Sequence, residues 1–395
     1  MQKKEKHLTR RSALKVLGGT AGAILSAPMI TLGENQIQPQ KRKEVHITDK
    51  PKPRMMGGMF GLEDLWNLKG STPPFLKGRE VLLVNGRSGI LLLIELLSPT
   101  HVWMPSYLCH IMITAAGKTP TSVRFYEVNY DLNVPSLEWL DKVQRGDLVI
   151  LIDYFGFIRN SSLAIRAKQQ GAYVLEDAAQ ALLSPAVGSL GDFVLFSPRK
   201  FLGVPDGGIL AFNREKEFDD INLESPPGEW WLKALFRTIL RREYDIHGGS
   251  LPWFELCAFK ENDEPGPIER YSMSELSKRL LIQGFDYAAI IRRRVDNYQV
   301  LADELGDIAL FPNLSNGVVP MGFPIRIKNR DHVRQVFFDH KICFVTHWPI
   351  QGVVPEEFRD SHRLAAEIMT LPCDQRYDRS DMYRLSQLVL KEARM

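Results

Sequence analysis

Residues 175–208 read LEDAAQALLSPAVGSLGDFVLFSPRKFLGVPDGG. Two apolar runs each end in a polar cluster. Glu176, Asp177 and Gln180 follow the first, Ser197, Arg199 and Lys200 follow the second, and Gly207-Gly208 closes the segment. A carboxylate just past one strand and a lysine just past another meet at one rim of a parallel sheet. In open α/β sheets that rim is where ligands sit.

The flanking sequence supplies such a sheet. From Val81 onward seven short apolar runs recur: Val81–Val84, Val102–Met104, Val123–Val128, Leu148–Ile152, Tyr173–Leu175, Phe193–Phe196 and Ile209–Phe212. Several are continuous rather than alternating, as strands covered on both faces require. Helical stretches at Ser88–Leu97, Leu108–Ala116, Ser136–Val143 and Ser161–Gln170 separate most of them. The alternation predicts a three-layer α/β domain with a mostly parallel, seven-stranded sheet.

Outside this region the pattern changes. Residues 213–268 break the rhythm and hold GEWWLKALFRTILRREYDIHGG, then KENDEPGP, read as an insertion or interdomain segment. The Trp230, Trp231, Leu235, Ile239 stripe there suits packing on the protein's own body, or a partner or membrane surface. After Arg270 one long helix is expected, with Ser272 and Glu275 as a capping box. A strand at Phe323–Ile327, a helix at Asp331–His340, a strand at Ile342–Val345 and a helix from Ser380 make residues 269–395 a small C-terminal α+β domain.

Length and charge bound the rest. At roughly 150 residues per domain, 395 residues suggest two or three domains. Residues 1–54 carry twelve Lys or Arg against four acids, a net +8, which leaves −5 for residues 55–395 from the total of +3. The basic character belongs to the N-terminal arm, so nucleic-acid binding by the folded part is not indicated. Cys109, Cys257, Cys343 and Cys373 show neither metal-ligand spacing nor a disulfide framework. Arg10-Arg11 before the uncharged stretch Val16–Gly33 resembles a twin-arginine export signal, followed by a basic linker to residue 54. Export to the periplasm is the expectation; a basic tail on a cytoplasmic protein is the alternative.

The polar clusters point to one chemistry. A carboxylate such as Asp177 beside a pyridine nitrogen keeps that nitrogen protonated. A lysine such as Lys200 forms a Schiff base when its amine is activated. Together they are what a protein contributes to pyridoxal phosphate (PLP). Gln180, one helical turn after Asp177, either donates to the ring oxygen or is simply solvated. A phosphate needs a glycine turn opening a helix, and Asn85-Gly86-Arg87-Ser88-Gly89 follows the first strand. Ser197 adds a hydroxyl donor. Each feature alone has a plain reading as a helix cap, a surface lysine or an ordinary βα turn. Their coincidence on one sheet is what carries weight.

From about Gly78 to the C-terminus, and most densely between Leu175 and Phe212, the chain resembles the DegT/StrS family of sugar aminotransferases, PLP-dependent transferases of fold type I. The similarity rests on EDAAQA, the GD–FS–K–GG succession, MPSY at 104–107, YSMSEL at 271–276 and LPCDQRYDRSDM at 371–382. The resemblance implies that Lys200 carries the cofactor, Asp177 pairs with its nitrogen and Gln180 meets its ring oxygen. Gly86, Arg87, Ser88 and Ser197 hold the phosphate. It further implies a homodimer, an amino-acid donor such as glutamate, and a nucleotide-linked keto-sugar acceptor. Surface-polysaccharide or secondary-metabolite sugar biosynthesis would be the setting. Arg270 stands where the family has Asn, Asp206 where it has Glu, and the stacking ring falls near Cys109, between Tyr107 and His110. Three other readings stay open: a non-catalytic or exported binding protein on this scaffold, a PLP enzyme with a non-sugar substrate, and a pyridoxamine-phosphate dehydratase, which Lys200 opposes. His347-Trp348 and Arg292-Arg293-Arg294 are not assigned to the site.

Overall fold

The computed structural model describes residues 55–66, 70–157, 160–214, 221–249 and 266–393. The twin-arginine stretch, the basic linker and Cys257 lie outside them. The described chain starts with a two-residue strand, β1 (Met56–Gly57). The seven apolar runs then all form strands: β2 (Glu80–Leu83), β3 (His101–Pro105), β4 (Ser122–Tyr126), β5 (Leu148–Ile152), β6 (Tyr173–Asp177), β7 (Phe193–Phe196) and β8 (Gly208–Phe212). They make one sheet in the order β2-β8-β7-β6-β5-β3-β4. Every neighbouring pair is parallel except those of β8, which runs antiparallel to β2 and β7.

The central strands explain the continuous apolar runs. All five residues of β5 (LVILI) and all four of β7 (FVLF) are buried. Each fully buried Val, Leu, Ile or Phe contributes roughly 1.5–3 kcal/mol. Helices α1 (Gly86–Leu97), α2 (Ile111–Ala116) and α3 (Ser161–Gln169) form the crossovers. The stretch expected as a helix at 136–143 is instead a single 3₁₀ turn, Glu138–Lys142. Trp139 stacks flat on Tyr126, with ring centroids 4.4 Å apart. That contact, with Leu140 fully buried, seats the piece on the sheet within one turn.

Helix α4 (Gly228–His247) occupies the middle of the 213–268 segment. Leu235 and Ile239 of its stripe pack on the body of the protein, while Leu232 and Phe236 stay exposed. The same helix grips the start of the described chain. Arg241 donates from Nη1 to the Gly57 carbonyl at 2.8 Å, Arg242 to the Leu62 carbonyl at 2.9 Å, and the Tyr244 hydroxyl accepts from the Met55 amide at 3.0 Å.

The expected long helix is two, α5 (Glu275–Gln283) and α6 (Tyr287–Leu305). Gly284 ends the first, and Asp286 caps the second by accepting from the Ala289 amide at 3.0 Å. Buried Phe285 anchors the break. The cap of α5 is Ser274, whose hydroxyl accepts from the Ser277 amide, rather than Ser272, whose amide goes to the Glu224 carbonyl.

The C-terminal part places β9 (Phe323–Arg326), α7 (Arg330–Asp339), β10 (Ile342–Cys343), α8 (Arg359–Glu367), β11 (Ile368–Leu371) and α9 (Arg379–Ala393) in sequence. Strand β9 pairs antiparallel with β11. Strand β10 is shorter than the expected 342–345 because its partner is the two-residue β1, in parallel. No helix of the described residues is long and apolar enough to cross a membrane.

Candidate active site

Asp177 is the last residue of β6 and Lys200 the last of the 3₁₀ turn Pro198–Lys200 that follows β7. The two strands are neighbours, so their carboxyl ends place both residues at one rim. Asp177 is buried, and its Oδ1 accepts from the Ala179 amide at 3.0 Å. Burial raises its carboxyl above the usual range, and the positive charge of Lys200 pulls it back down.

Gln180 is 1% exposed. Its Oε1 accepts from the Phe155 amide at 2.9 Å, which fixes the side-chain orientation. Its Nε2 then has no hydrogen-bond partner among the described residues. A buried amide left without a partner costs about 1–3 kcal/mol, so this donor needs an acceptor that the protein does not supply. Phe155 itself sits at φ 56°, a left-handed conformation unfavourable for a residue with a Cβ. Such strain, on the order of 1–3 kcal/mol, concentrates at functional sites.

The glycine turn lies at the start of α1, beside the same rim. Asn85 caps that helix, its side chain accepting from the Ser88 amide at 3.1 Å. The first turn of a helix presents backbone amides and the positive end of its dipole to an anion, so the start of α1 at Gly86 is suited to cradle one. Gly208 must be glycine, since a Cβ there would lie 2.2 Å from the Asn85 carbonyl carbon and oxygen. Ser197 is buried at the end of β7. The Ser88 hydroxyl points to the Pro267 carbonyl, 3.5 Å away.

The departures from the family pattern have structural explanations. Asp206 is fully buried and accepts from the Ser274 amide at 2.7 Å, the Ser274 hydroxyl at 2.5 Å and the Ser277 hydroxyl. It ties the Gly207-Gly208 turn to the start of α5. Arg270 pairs with Glu95 at 2.6 Å, well along α1 from its phosphate-binding start. Tyr107 is fully buried and donates its hydroxyl to the His347 carbonyl, so it is not a stacking ring, and His110 is exposed. Cys109 is the residue whose thiol feels Lys200, Asp177 and Arg87 together, while burial pushes that thiol up.

Two groups beside the site went unassigned in the sequence. His347 is buried, and burial followed by the charge of Lys200 pushes it down to about 3, so it is neutral. Asp153 follows β5 and is fully buried, with neither carboxyl oxygen hydrogen-bonded among the described residues. Burial first, then Glu176 and Asp177, hold it well above its ordinary 3.8. Its position after an apolar run, like that of Asp177, was the one signal for it.

Asp153 has a pH consequence. A carboxyl with a raised folded-state value contributes stability fully present below its unfolded value and lost as pH rises toward the folded one. Asp153→Asn removes that loss. Its stability advantage over the native chain is expected to grow as pH rises from ~4 toward the folded-state value, by at most about 1.4 kcal/mol per pH unit. Urea midpoints at pH 5 and pH 7 measure this, and an advantage that does not grow with pH would contradict a protonated Asp153.

Residues 110–389 match the DegT/DnrJ/EryC1/StrS aminotransferase family. The chain belongs to this family. Its aminotransferases are PLP-dependent, so the chain is a PLP-dependent aminotransferase with small-molecule substrates. Solved structures share the fold. PseC of Helicobacter pylori, an aminotransferase involved in pseudoaminic acid biosynthesis, is 14% identical over 86% of this chain and 100% of its own, with a TM-score of 0.62. DesV of S. venezuelae is 18% identical over 82% and 86%, with a TM-score of 0.60. DesI, solved in the presence of its TDP-sugar product, is 19% identical over 82% and 86%, with a TM-score of 0.57. A search of curated proteins returns no match.

The residues fit the cofactor of this aminotransferase. The orphaned Gln180 Nε2 matches a ring oxygen, buried Asp177 a protonated ring nitrogen, and the α1 start a phosphate.

Proposed function

We propose that the enzyme moves an amino group from an amino acid, glutamate first among candidates, to a nucleotide-linked keto sugar. The observation that carries the site assignment is the placement of Asp177 and Lys200 on adjacent strand ends, with Gln180 Nε2 unpartnered beside them. DesI, solved in the presence of its TDP-sugar product, and PseC, involved in pseudoaminic acid biosynthesis, support a sugar acceptor. When bound, PLP supplies the electron sink that lets a proton leave the substrate carbon.

The chain's residues divide the remaining work. Lys200 anchors the cofactor and, once displaced by the donor, moves the proton as base and then acid. Asp177 holds the ring nitrogen's proton by opposite charge. Gln180, whose Nε2 has no partner among the described residues, would donate to the ring oxygen. The first turn of α1 at Gly86 and Arg87, with the Ser88 and Ser197 hydroxyls, would take the phosphate.

The test is a half-reaction. PLP-loaded protein mixed with L-glutamate should lose its lysine-bound absorbance band and release one 2-oxoglutarate per site. A band that forms but yields no keto acid from any amino acid would favour a binding protein. A homodimer is also proposed, supported by the exposure of Lys200 at the rim and by exposed Leu232 and Phe236 on α4. Light scattering giving the mass of one chain would refute it. The Arg10-Arg11 stretch supports export by the twin-arginine route; an Arg10→Lys, Arg11→Lys chain that still leaves the cytoplasm would refute that.

A further inference from the structure

The three consecutive arginines of α6 look alike in sequence, but the fold treats them differently. Arg292 and Arg293 are exposed, while Arg294 is fully buried. A buried guanidinium is costly unless its donors are satisfied, and those of Arg294 reach four acceptors. Its Nε donates to the Gln375 side-chain oxygen at 2.9 Å, its Nη1 to the Pro320 and Met321 carbonyls at 3.0 Å each, and its Nη2 to the Phe201 carbonyl at 3.2 Å. The guanidinium also lies over the Phe201 ring, 4.6 Å from its centroid. Gln375, oriented by Arg294, donates its own amide to the same Phe201 carbonyl at 2.7 Å.

These carbonyls belong to two segments that carry the site. Phe201 follows Lys200 directly, and its amide closes the Pro198–Lys200 turn by donating to the Pro198 carbonyl at 2.9 Å. The Lys200 side chain is exposed, whereas Phe201 is fully buried, so Phe201 roots the turn. On the other side, the Met321 amide donates to the Phe155 carbonyl at 3.1 Å. The Phe155 amide in turn orients Gln180. The same stretch closes over Gly156, where a Cβ would lie 2.5 Å from the Val319 carbonyl oxygen. Hydrogen bonds therefore lead from one guanidinium on α6 to the residue after Lys200 and to the residue that holds Gln180.

Resting on the aminotransferase reading above, we infer that Arg294 is a positioning residue for the reaction: it ties the turn that carries Lys200 to the segment that orients Gln180, and so sets the spacing between the lysine and the cofactor ring. No bond is made or broken at Arg294. A lysine in its place keeps the charge but loses the rigid fork, and a single ammonium cannot span Phe201, Met321 and Gln375 together. Gln375 extends the same clamp with a second donor to Phe201.

The experiment uses PLP-loaded full-length protein as Arg294→Lys, Gln375→Glu and Arg241→Lys. Gln375→Glu keeps an acceptor for Arg294 but turns a carboxylate oxygen, rather than a donor, toward the Phe201 carbonyl. Arg241 is the control, a buried arginine that likewise holds backbone carbonyls, those of Met55 and Gly57, which belong to neither site segment. Each variant is read at a temperature where its melting curve shows it folded, for the position of the lysine-bound absorbance band and for kcat and KM of the L-glutamate half-reaction. Arg294→Lys should displace the band and lower kcat by up to about 10²-fold, as a reacting group misplaced by about 1 Å does, with donor KM within about threefold. Gln375→Glu should move both in the same direction by less. Arg241→Lys should lower the melting temperature yet keep the native band, with kcat within about threefold. A native band and rate in both Arg294→Lys and Gln375→Glu overturns the inference. So does a loss in Arg241→Lys as large as that in Arg294→Lys, since the buried arginines would then act through stability alone. If Arg294→Lys does not fold, Gln375→Glu against Arg241→Lys still decides. Native protein that forms no lysine-bound band refutes the aminotransferase reading itself, a separate outcome.

Discussion

Lys200→Ala should abolish the lysine-bound absorbance band of the PLP-loaded enzyme and slow amino transfer by about 10²–10⁴-fold, the range for loss of a positioned acid–base group. Lys200 supplies the amine at the end of the Pro198–Lys200 turn, next to the rim occupied by Asp177. The same amine serves as covalent anchor and as carrier of the proton, so no single replacement retains both roles. The side chain is exposed. Its removal should therefore leave unfolding within about 0.5 kcal/mol of the native chain, as for other surface changes. The loss would then be chemical rather than structural. A band that persists in Lys200→Ala would assign the cofactor to another lysine and overturn the site.

Asp177→Asn should have opposite effects on the cofactor-free and PLP-loaded enzyme. In the loaded enzyme the substitution leaves a buried, protonated ring nitrogen without its counter-charge. Breaking a buried ion pair costs about 3–5 kcal/mol, so amino transfer should fall by at least about 10²-fold. Without cofactor, Asp177 is a buried carboxyl raised above its usual value by desolvation. Such a group contributes stability that is present below its unfolded value and lost as pH rises through the folded one. The Asn chain escapes that loss, so at neutral pH its cofactor-free form should melt higher than the native chain. Differential scanning of both forms, with and without PLP, reads the two signs. If both forms are destabilised equally, Asp177 is a structural cap and not the partner of a ring nitrogen.

Strands that are covered on both faces must be apolar throughout, and this is why β5 and β7 stand out in the sequence as LVILI and FVLF. Where a short polar cluster follows such a run, the residues belong to the strand's carboxyl end. Asp177, Gln180, Ser197 and Lys200 were legible for that reason, and Gly86-Arg87-Ser88 because a glycine turn opens a helix there. Elements held by distant contacts were not legible. The 3₁₀ turn at 138–142 depends on Trp139 stacking on Tyr126. The break between α5 and α6 depends on the burial of Phe285, and the brevity of β10 on a partner, β1, at the other end of the described chain.

The sequence by itself determined the sheet, the cofactor chemistry and the rim on which it lies, because hydrophobic period and strand-end chemistry are local properties. Only the tertiary structure decided how Asp206 ties the glycine pair to α5, that Arg270 serves Glu95, that Gln180 keeps one donor without a partner among the described residues, and that His347 and Asp153 are buried. Those outcomes rest on burial and on contacts between segments far apart in the chain. Local pattern records neither, since a carboxyl or an imidazole reads the same in sequence whether water or a neighbouring strand surrounds it. The stretch 175–208 thus carries the cofactor chemistry, while the glycine turn that opens α1 and the Phe155 amide that orients Gln180 come from outside it.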